Sequence, residues 1–165
     1  MSMFHGGSQD RGRRPGTENV AAIVGLARAV ELAKAERAEE VARLTELRDR
    51  FERELLARVP DAVIHGRNAP RRAPHISNVS VPGIDSESML MALDLRGIGC
   101  SAGSACQSGA VSPSHVLTAI GVSRELAHAA VRISFGCLND PSCVDWTVSV
   151  FATLVEKARG VASVA

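Results

Sequence analysis

The sequence predicts an α/β domain, on three observations. Residues 18–58 keep a helical spacing, with Val41, Leu44, Arg48, Phe51 and Leu55 recurring at three- and four-residue steps as one buried stripe. Ile76-Ser77-Asn78-Val79-Ser80-Val81 alternates apolar with polar before Pro82-Gly83, as a half-buried strand does, and Val131-Arg132-Ile133-Ser134-Phe135 is a further strand. Residues 144–157 then close the chain as a helix carrying Trp146, Val150 and Leu154.

Taken in order, residues 1–17 are Gly- and Arg-rich with Pro15 and show no hydrophobic period, which makes them a loop. Thr17 can cap the long helix and Pro60 closes it, with a break near residues 36–40 left open. Val63-Ile64-His65 is a short strand candidate ahead of the alternating run at 76–81. Asp85 or Ser86 can cap a helix carrying Met89, Leu90 and Leu93. A loop of small polar residues follows, then helices over 114–120 and 124–129.

Composition excludes several functions. The chain has 165 residues, 45% of them hydrophobic, enough for one globular domain and too few for two large ones. A net charge of +1 gives no electrostatic case for nucleic acid. Aromatics at 3%, with no Tyr, leave no base-stacking surface. Residues 1–7 lack an apolar signal segment, and no run approaches the roughly 20 apolar residues of a membrane span. A cytoplasmic protein without nucleic-acid or membrane partners is the expectation.

Four cysteines stand at 100, 106, 137 and 143. Their spacing is not that of a structural zinc site, so no metal is expected, and reduced thiols are. Cys106 lies in Ser101-Ala102-Gly103-Ser104-Ala105-Cys106-Gln107-Ser108-Gly109, a tether with several glycines and few apolar anchors. Ser104, Ser108 and backbone amides can stabilise a thiolate there, and a small buried residue in an Ala/Ser turn fits the composition equally well. Cys100, Cys137 and Cys143 read as packing residues.

Two further features bear on chemistry. The opening loop offers amide donors and three arginines at a helix start, a general anion-binding arrangement, although a solvated loop has the same pattern. It is not a nucleotide-binding P-loop, because Arg13-Arg14 stands where that motif needs Lys and Ser/Thr. Arg132 interrupts a strand of Val, Ile and Phe, which puts its guanidinium on the polar face beside Ser134. Such a fork can hold a carboxylate in two-point fashion or serve a structural ion pair.

Four blocks occur in one order: the opening 5–20 stretch from His5-Gly6-Gly7-Ser8 through Gly16-Thr17, then Asn78-Val79-Ser80-Val81-Pro82-Gly83, the Cys106 loop, and Val131-Arg132-Ile133-Ser134-Phe135-Gly136. Together they resemble the C-terminal half of the cysteine desulfurases, pyridoxal-phosphate (PLP) enzymes of the class V aminotransferase fold, in the subgroup with a long mobile cysteine loop. The resemblance implies the small C-terminal domain of that fold, a short and mainly antiparallel sheet with packed helices. Residues 1–17 would come from the large-domain side, 18–59 would be a connecting helix, and 60–165 would be the small domain with a mobile loop at 97–113.

The resemblance also implies roles. L-cysteine is converted to L-alanine while the loop thiolate, matched by Cys106, takes the sulfur as a persulfide for iron–sulfur cluster assembly or tRNA thiolation. Arg132 matches the arginine that binds the substrate carboxylate. Thr17 matches a threonine whose hydroxyl reaches the cofactor phosphate across a homodimer. A sulfur-acceptor protein such as an iron–sulfur scaffold is the implied partner.

The family's cofactor-binding lysine precedes the opening loop, and the only lysines here are Lys34 and Lys157, in helical segments. PLP is therefore not expected to bind this chain covalently. Two readings follow: a part of a desulfurase, truncated or split, that needs an N-terminal half for turnover, or a non-enzymatic persulfide carrier or decayed remnant. Other departures are Ser8, Pro15 and Cys137 at positions where Gly, Ser and Arg are common in the family, and Pro15 stiffens the loop beside Thr17. Without a large domain, Val20, Ile23, Val24 and Ala27 would lose part of their cover. Given PLP and cysteine, the purified 165-residue chain is expected to develop no new visible absorption and to release neither sulfide nor alanine; appearance of those signals would overturn that expectation.

Overall fold

The computed structural model describes residues 4–102 and 113–162. They divide into two compact units, Met1–Ala38 and Glu39–Ala165.

In the first unit the opening loop folds on itself. Gln9–Gly12 (α1) is a single turn in which Asp10 and Arg11 adopt left-handed backbone angles, with φ of 49° and 58°. Asp tolerates that region far better than Arg, so the turn stores strain at Arg11. Gln9 Oε1 accepts from the Gly16 amide at 3.1 Å, and Arg14 donates to the Gly16 carbonyl at 2.8 Å. Gly6 is required where it stands, since a Cβ there would lie 2.8 Å from Pro15. These contacts lead the chain into α2, Val20–Arg58, which runs without a break through residues 36–40. The cap is Asn19 rather than Thr17: its Oδ1 accepts from the Ala22 amide at 3.0 Å, and it immediately precedes the first helical residue. Val20, Ile23, Val24, Leu26 and Val30 are exposed.

In the second unit, the later turns of α2 bury Leu44, Leu47, Phe51 and Leu55, while Val41, the first residue of the expected stripe, is exposed. Strands β1 (Val63–His65), β2 (Ile76–Ser80), β3 (Ser101–Ala102) and β4 (Ala130–Ser134) form one sheet in the order β1-β2-β4-β3, with antiparallel neighbours throughout. Helices α3 (Ser86–Asp94), α4 (His115–Ala119), α5 (Arg124–His128) and α6 (Pro141–Ala162) complete it. Asp85 caps α3 by accepting from the Ser88 amide at 2.8 Å. Asp140 caps α6 by accepting from the Cys143 amide at 3.0 Å, with Pro141 at the first helical position, where a missing N–H costs nothing.

One face of the sheet builds the main core. Val79, Val131 and Ile133 pack there with Phe51 and Leu55 of α2, Met89 and Leu93 of α3, and Val144, Val148, Phe151 and Val155 of α6. Trp146 falls outside that stripe and is 53% exposed, its indole N–H donating to the Arg96 carbonyl at 3.4 Å. Among the described residues the other face is covered at one end, where Leu117 of α4 and Ala127 of α5 pack on Ala130. Arg132 and Ser134 remain exposed on it. Among the described residues no helix is long and apolar enough to cross a membrane.

Phe51 is fully buried and meets the Phe135 ring edge-on at 5.8 Å, joining α2 to the end of β4. Phe51→Ala is expected to lower unfolding free energy by about 3–5 kcal/mol through lost transfer energy and the cavity left behind. Urea denaturation measures this, and a loss below about 1 kcal/mol would contradict the packing described.

Candidate substrate face of the sheet

Register brings the polar groups into one row. His65 on β1 pairs with Asn78 on β2, Asn78 with Arg132 on β4, and Arg132 with Ser101 on β3. Directly opposed residues share a face, so these four side chains stand side by side across the whole width of the sheet. The alternation that buries Val131 and Ile133 is what turns Arg132 outward.

The Arg132 guanidinium makes no hydrogen bond or ion pair among the described residues. Beside it, Asn78 Oδ1 is buried and has no hydrogen-bond partner among them. A buried acceptor without a partner is uncommon and marks a polar site. An unpaired donor fork next to an unpaired acceptor is a pattern suited to an amino-acid headgroup, with the carboxylate on the guanidinium.

His65 is held by a relay. Its Nε2 lies 2.7 Å from Ser80 Oγ, and the Ser80 hydroxyl donates to the Leu126 carbonyl at 2.6 Å. Since that proton goes to Leu126, Ser80 Oγ accepts from His65, which assigns the Nε2–H tautomer to the neutral ring. Burial pushes the His65 pKa below its ordinary 6.5.

The sequence-predicted site residues fall in different places. Arg132 is on the open face as expected. Thr17 is exposed in the first unit, between Gly16 and the cap of α2. Cys106 lies outside the described residues, but Ser101, which pairs with Arg132, is the strand residue that leads toward it. Cys100 is half-buried, and burial, followed by Asp94, pushes its thiol above the usual value. That is the opposite of what a nucleophile needs. Lys34 lies in the first unit; Lys157 is on α6, which packs on the sheet face opposite Arg132.

Three contributors escaped sequence reading. Asn78 and His65 share the face of Arg132, and the alternation of β2 was the one local signal that could have placed Asn78 there. Arg43 ties the turn after β4 to α2, donating to the Asn139 carbonyl at 2.6 Å and the Gly136 carbonyl at 3.0 Å while pairing with Glu40 at 2.7 Å. Nothing in its helical context signals that contact.

Comparison with known proteins follows the same lines. Residues 4–146 match the aminotransferase class-V family. The chain is 44% identical over 157 residues to a protein named cysteine desulfurase IscS from Dictyoglomus turgidum, covering 95% of this chain and 40% of that protein. It is 45% identical over 157 residues to one of the same name from Methanosarcina thermophila, covering 95% and 38%. The structure of a NifS-like protein from Rickettsia africae superposes with a TM-score of 0.78 at 29% identity, covering 94% of this chain and 40% of that one. The chain thus spans about two fifths of the length of the curated relatives it matches.

The depressed His65 pKa has a measurable consequence. The folded state holds this proton more weakly than the unfolded state, so His65 lowers stability as pH falls below about 6.5. Between about pH 7 and pH 5, His65→Gln is expected to flatten the pH dependence of unfolding free energy, and NMR titration of the ring is expected to give a midpoint below 6.5. A midpoint above it would contradict the assignment.

Proposed function

Since the chain belongs to the class-V aminotransferase family, we propose that it is the substrate- and sulfur-handling part of a cysteine desulfurase, which converts L-cysteine to L-alanine and passes sulfur to an acceptor protein such as an iron–sulfur scaffold. The observation that carries this reading is Arg132, an exposed guanidinium that has no partner among the described residues and stands beside the Asn78 acceptor, which has none among them either. The names of the relatives support the same activity.

In this reading Arg132 holds the substrate carboxylate by two parallel N–H···O bonds, which fixes the direction of the substrate side chain. Cys106 is the nucleophile. Its thiolate forms a bond to the substrate sulfur, the substrate carbon–sulfur bond breaks with its electron pair on carbon, and that carbon takes a proton to become the alanine methyl group. Cys106 stands five residues beyond Ser101, so a fully extended tether would reach at most about 18 Å from the strand neighbour of Arg132. That is long enough to visit a substrate held there and then an acceptor.

The family implies PLP, which supplies an electron sink when bound. The residues of this chain fit its non-covalent needs in part: the self-braced loop ending at Gly16 leaves Thr17 exposed, as a hydroxyl serving a phosphate must be. They do not fit the covalent anchor. Lys157 belongs to the opposite side of the sheet from Arg132, and Lys34 is an exposed residue of the first unit. In this reading the anchoring amine is supplied by a separate lysine-bearing portion, since Lys157, the one lysine of the second unit, is on the wrong side of the sheet.

The competing reading is a persulfide carrier that does no chemistry on cysteine. A carrier needs Cys106 but has no use for an unpaired carboxylate fork. In enzyme assembled with the lysine-bearing portion, Arg132→Lys is expected to raise KM for L-cysteine at least about tenfold with a smaller change in kcat, because an ammonium cannot reproduce the two-point contact. Cys106→Ser is expected to abolish sulfur transfer while Cys100→Ser retains most of it. If Arg132→Lys leaves KM unchanged while Cys106→Ser still blocks transfer, the carrier reading replaces the enzyme reading.

A further inference from the structure

A cleft of about 640 Å³ lies between the middle of α2 and residues 66–74, within the second unit. Four arginines line it, Arg48 and Arg53 from the helix and Arg67 and Arg72 from the loop, against two carboxylates, Asp49 and Glu52. The lining thus carries an excess of two positive charges, on a chain whose net charge is only +1.

The four arginines do different work. Glu52 is 2% exposed and takes two bonds from Arg72, at 2.5 and 3.1 Å, and a third from the Ser77 hydroxyl at 2.8 Å. Arg48 is 7% exposed; it bonds Asp49 through Nε and Nη2, at 2.9 and 2.7 Å, and the Ala73 carbonyl through Nη1 at 2.9 Å. These contacts tie the loop to the helix and form a charge-balanced floor. Arg53 and Arg67 are exposed and make no hydrogen bond or ion pair among the described residues. The uncompensated charge is therefore on the rim, one guanidinium on the helix wall and one on the loop wall, with Arg71 exposed next to the cleft.

The remaining lining is apolar or small: Val41, 41% exposed on the helix, faces a loop wall that includes Ala69, Pro70 and Pro74. No aromatic side chain lines the cleft, so it offers no platform for stacking bases. A compact phosphate would need donors converging inward, and the inward guanidinia are already committed to Glu52 and Asp49. An extended segment with spaced carboxylates suits rim charges on opposite walls and an apolar surface between them. We infer that this cleft is a docking site for an acidic, carboxylate-rich peptide segment of a partner protein, gripped by Arg53 and Arg67. This inference does not rest on the sulfur chemistry proposed above.

Fluorescence anisotropy of a fluorescein-labelled peptide of alternating Glu and Ala, titrated with the full chain at low salt, tests it. Arg53→Glu with Arg67→Glu is expected to weaken binding at least about tenfold, and rising salt is expected to weaken binding to the unaltered chain. Arg96→Glu with Arg124→Glu changes net charge equally at exposed positions outside the cleft and is expected to leave affinity within about twofold. Circular dichroism melting checks that both double variants fold, and both substitute exposed arginines. No peptide binding, equal weakening by the two double variants, or tighter binding of single-stranded RNA of equal charge would each overturn the inference.

Discussion

The register between β2 and β4 is the constraint from which the rest of the second unit follows. Val79 opposite Val131 and Asn78 opposite Arg132 are consecutive pairs on opposite faces, so the pairing that seals the core is the one that exposes the guanidinium. A slip of one residue would bury Arg132 and expose Val131 and Ile133. Burying several aliphatic side chains at about 25 cal/mol per Å² outweighs any local preference of the strand, so hydrophobic packing fixes the position of a polar site that contributes little to stability. The candidate chemistry thus depends on the core without belonging to it.

The later turns of α2 make that sheet a rigid platform. Phe51 and Leu55 close the core beneath it, while Glu52, one position from Phe51, turns to Arg72 and Ser77 at the edge. A buried ion pair of this kind adds little net stability over an apolar replacement, yet breaking one partner is costly because the other charge stays buried. Its structural effect is to fix the irregular segment ahead of β2. Arg43 does the same for the turn after β4, so the start of β2 and the end of β4, which lie side by side, are both braced to one helix.

Much of this was legible in the sequence because it is periodic. Alternation around Arg132 was enough to place it on the polar face, and the 3.6-residue spacing located α2 and its buried Leu44, Phe51 and Leu55. Errors came where the signal was local but the outcome was tertiary. The sequence placed Trp146 on the closing helix without fixing its side, and the rotation of α6, set by Val144, Val148, Phe151 and Val155, leaves the indole outside. Thr17 resembled a cap because its hydroxyl is suitable, yet Asn19 sits at the junction and takes the bond. The row from His65 to Ser101 was illegible because each residue is ordinary on its own strand and only pairing between strands far apart in sequence aligns them. The arginine cleft was hidden for the same reason, since Glu52 meets partners 20 and 25 residues away.

The four ordered motifs suggest what periodicity cannot, the role proposed above for Cys106, and the raised pKa of Cys100 makes that thiol the weaker candidate. Both thiols fall in the tryptic segment between Arg96 and Arg124, so fragmentation within that one peptide can tell them apart. The most direct measurement is mass spectrometry of this peptide after L-cysteine is supplied to the chain combined with the lysine-bearing portion proposed above, with alkylation to trap persulfides. One added sulfur atom on Cys106 and none on Cys100 is the outcome expected of the proposed nucleophile. Added sulfur on Cys100, or on neither cysteine while alanine accumulates, would contradict it.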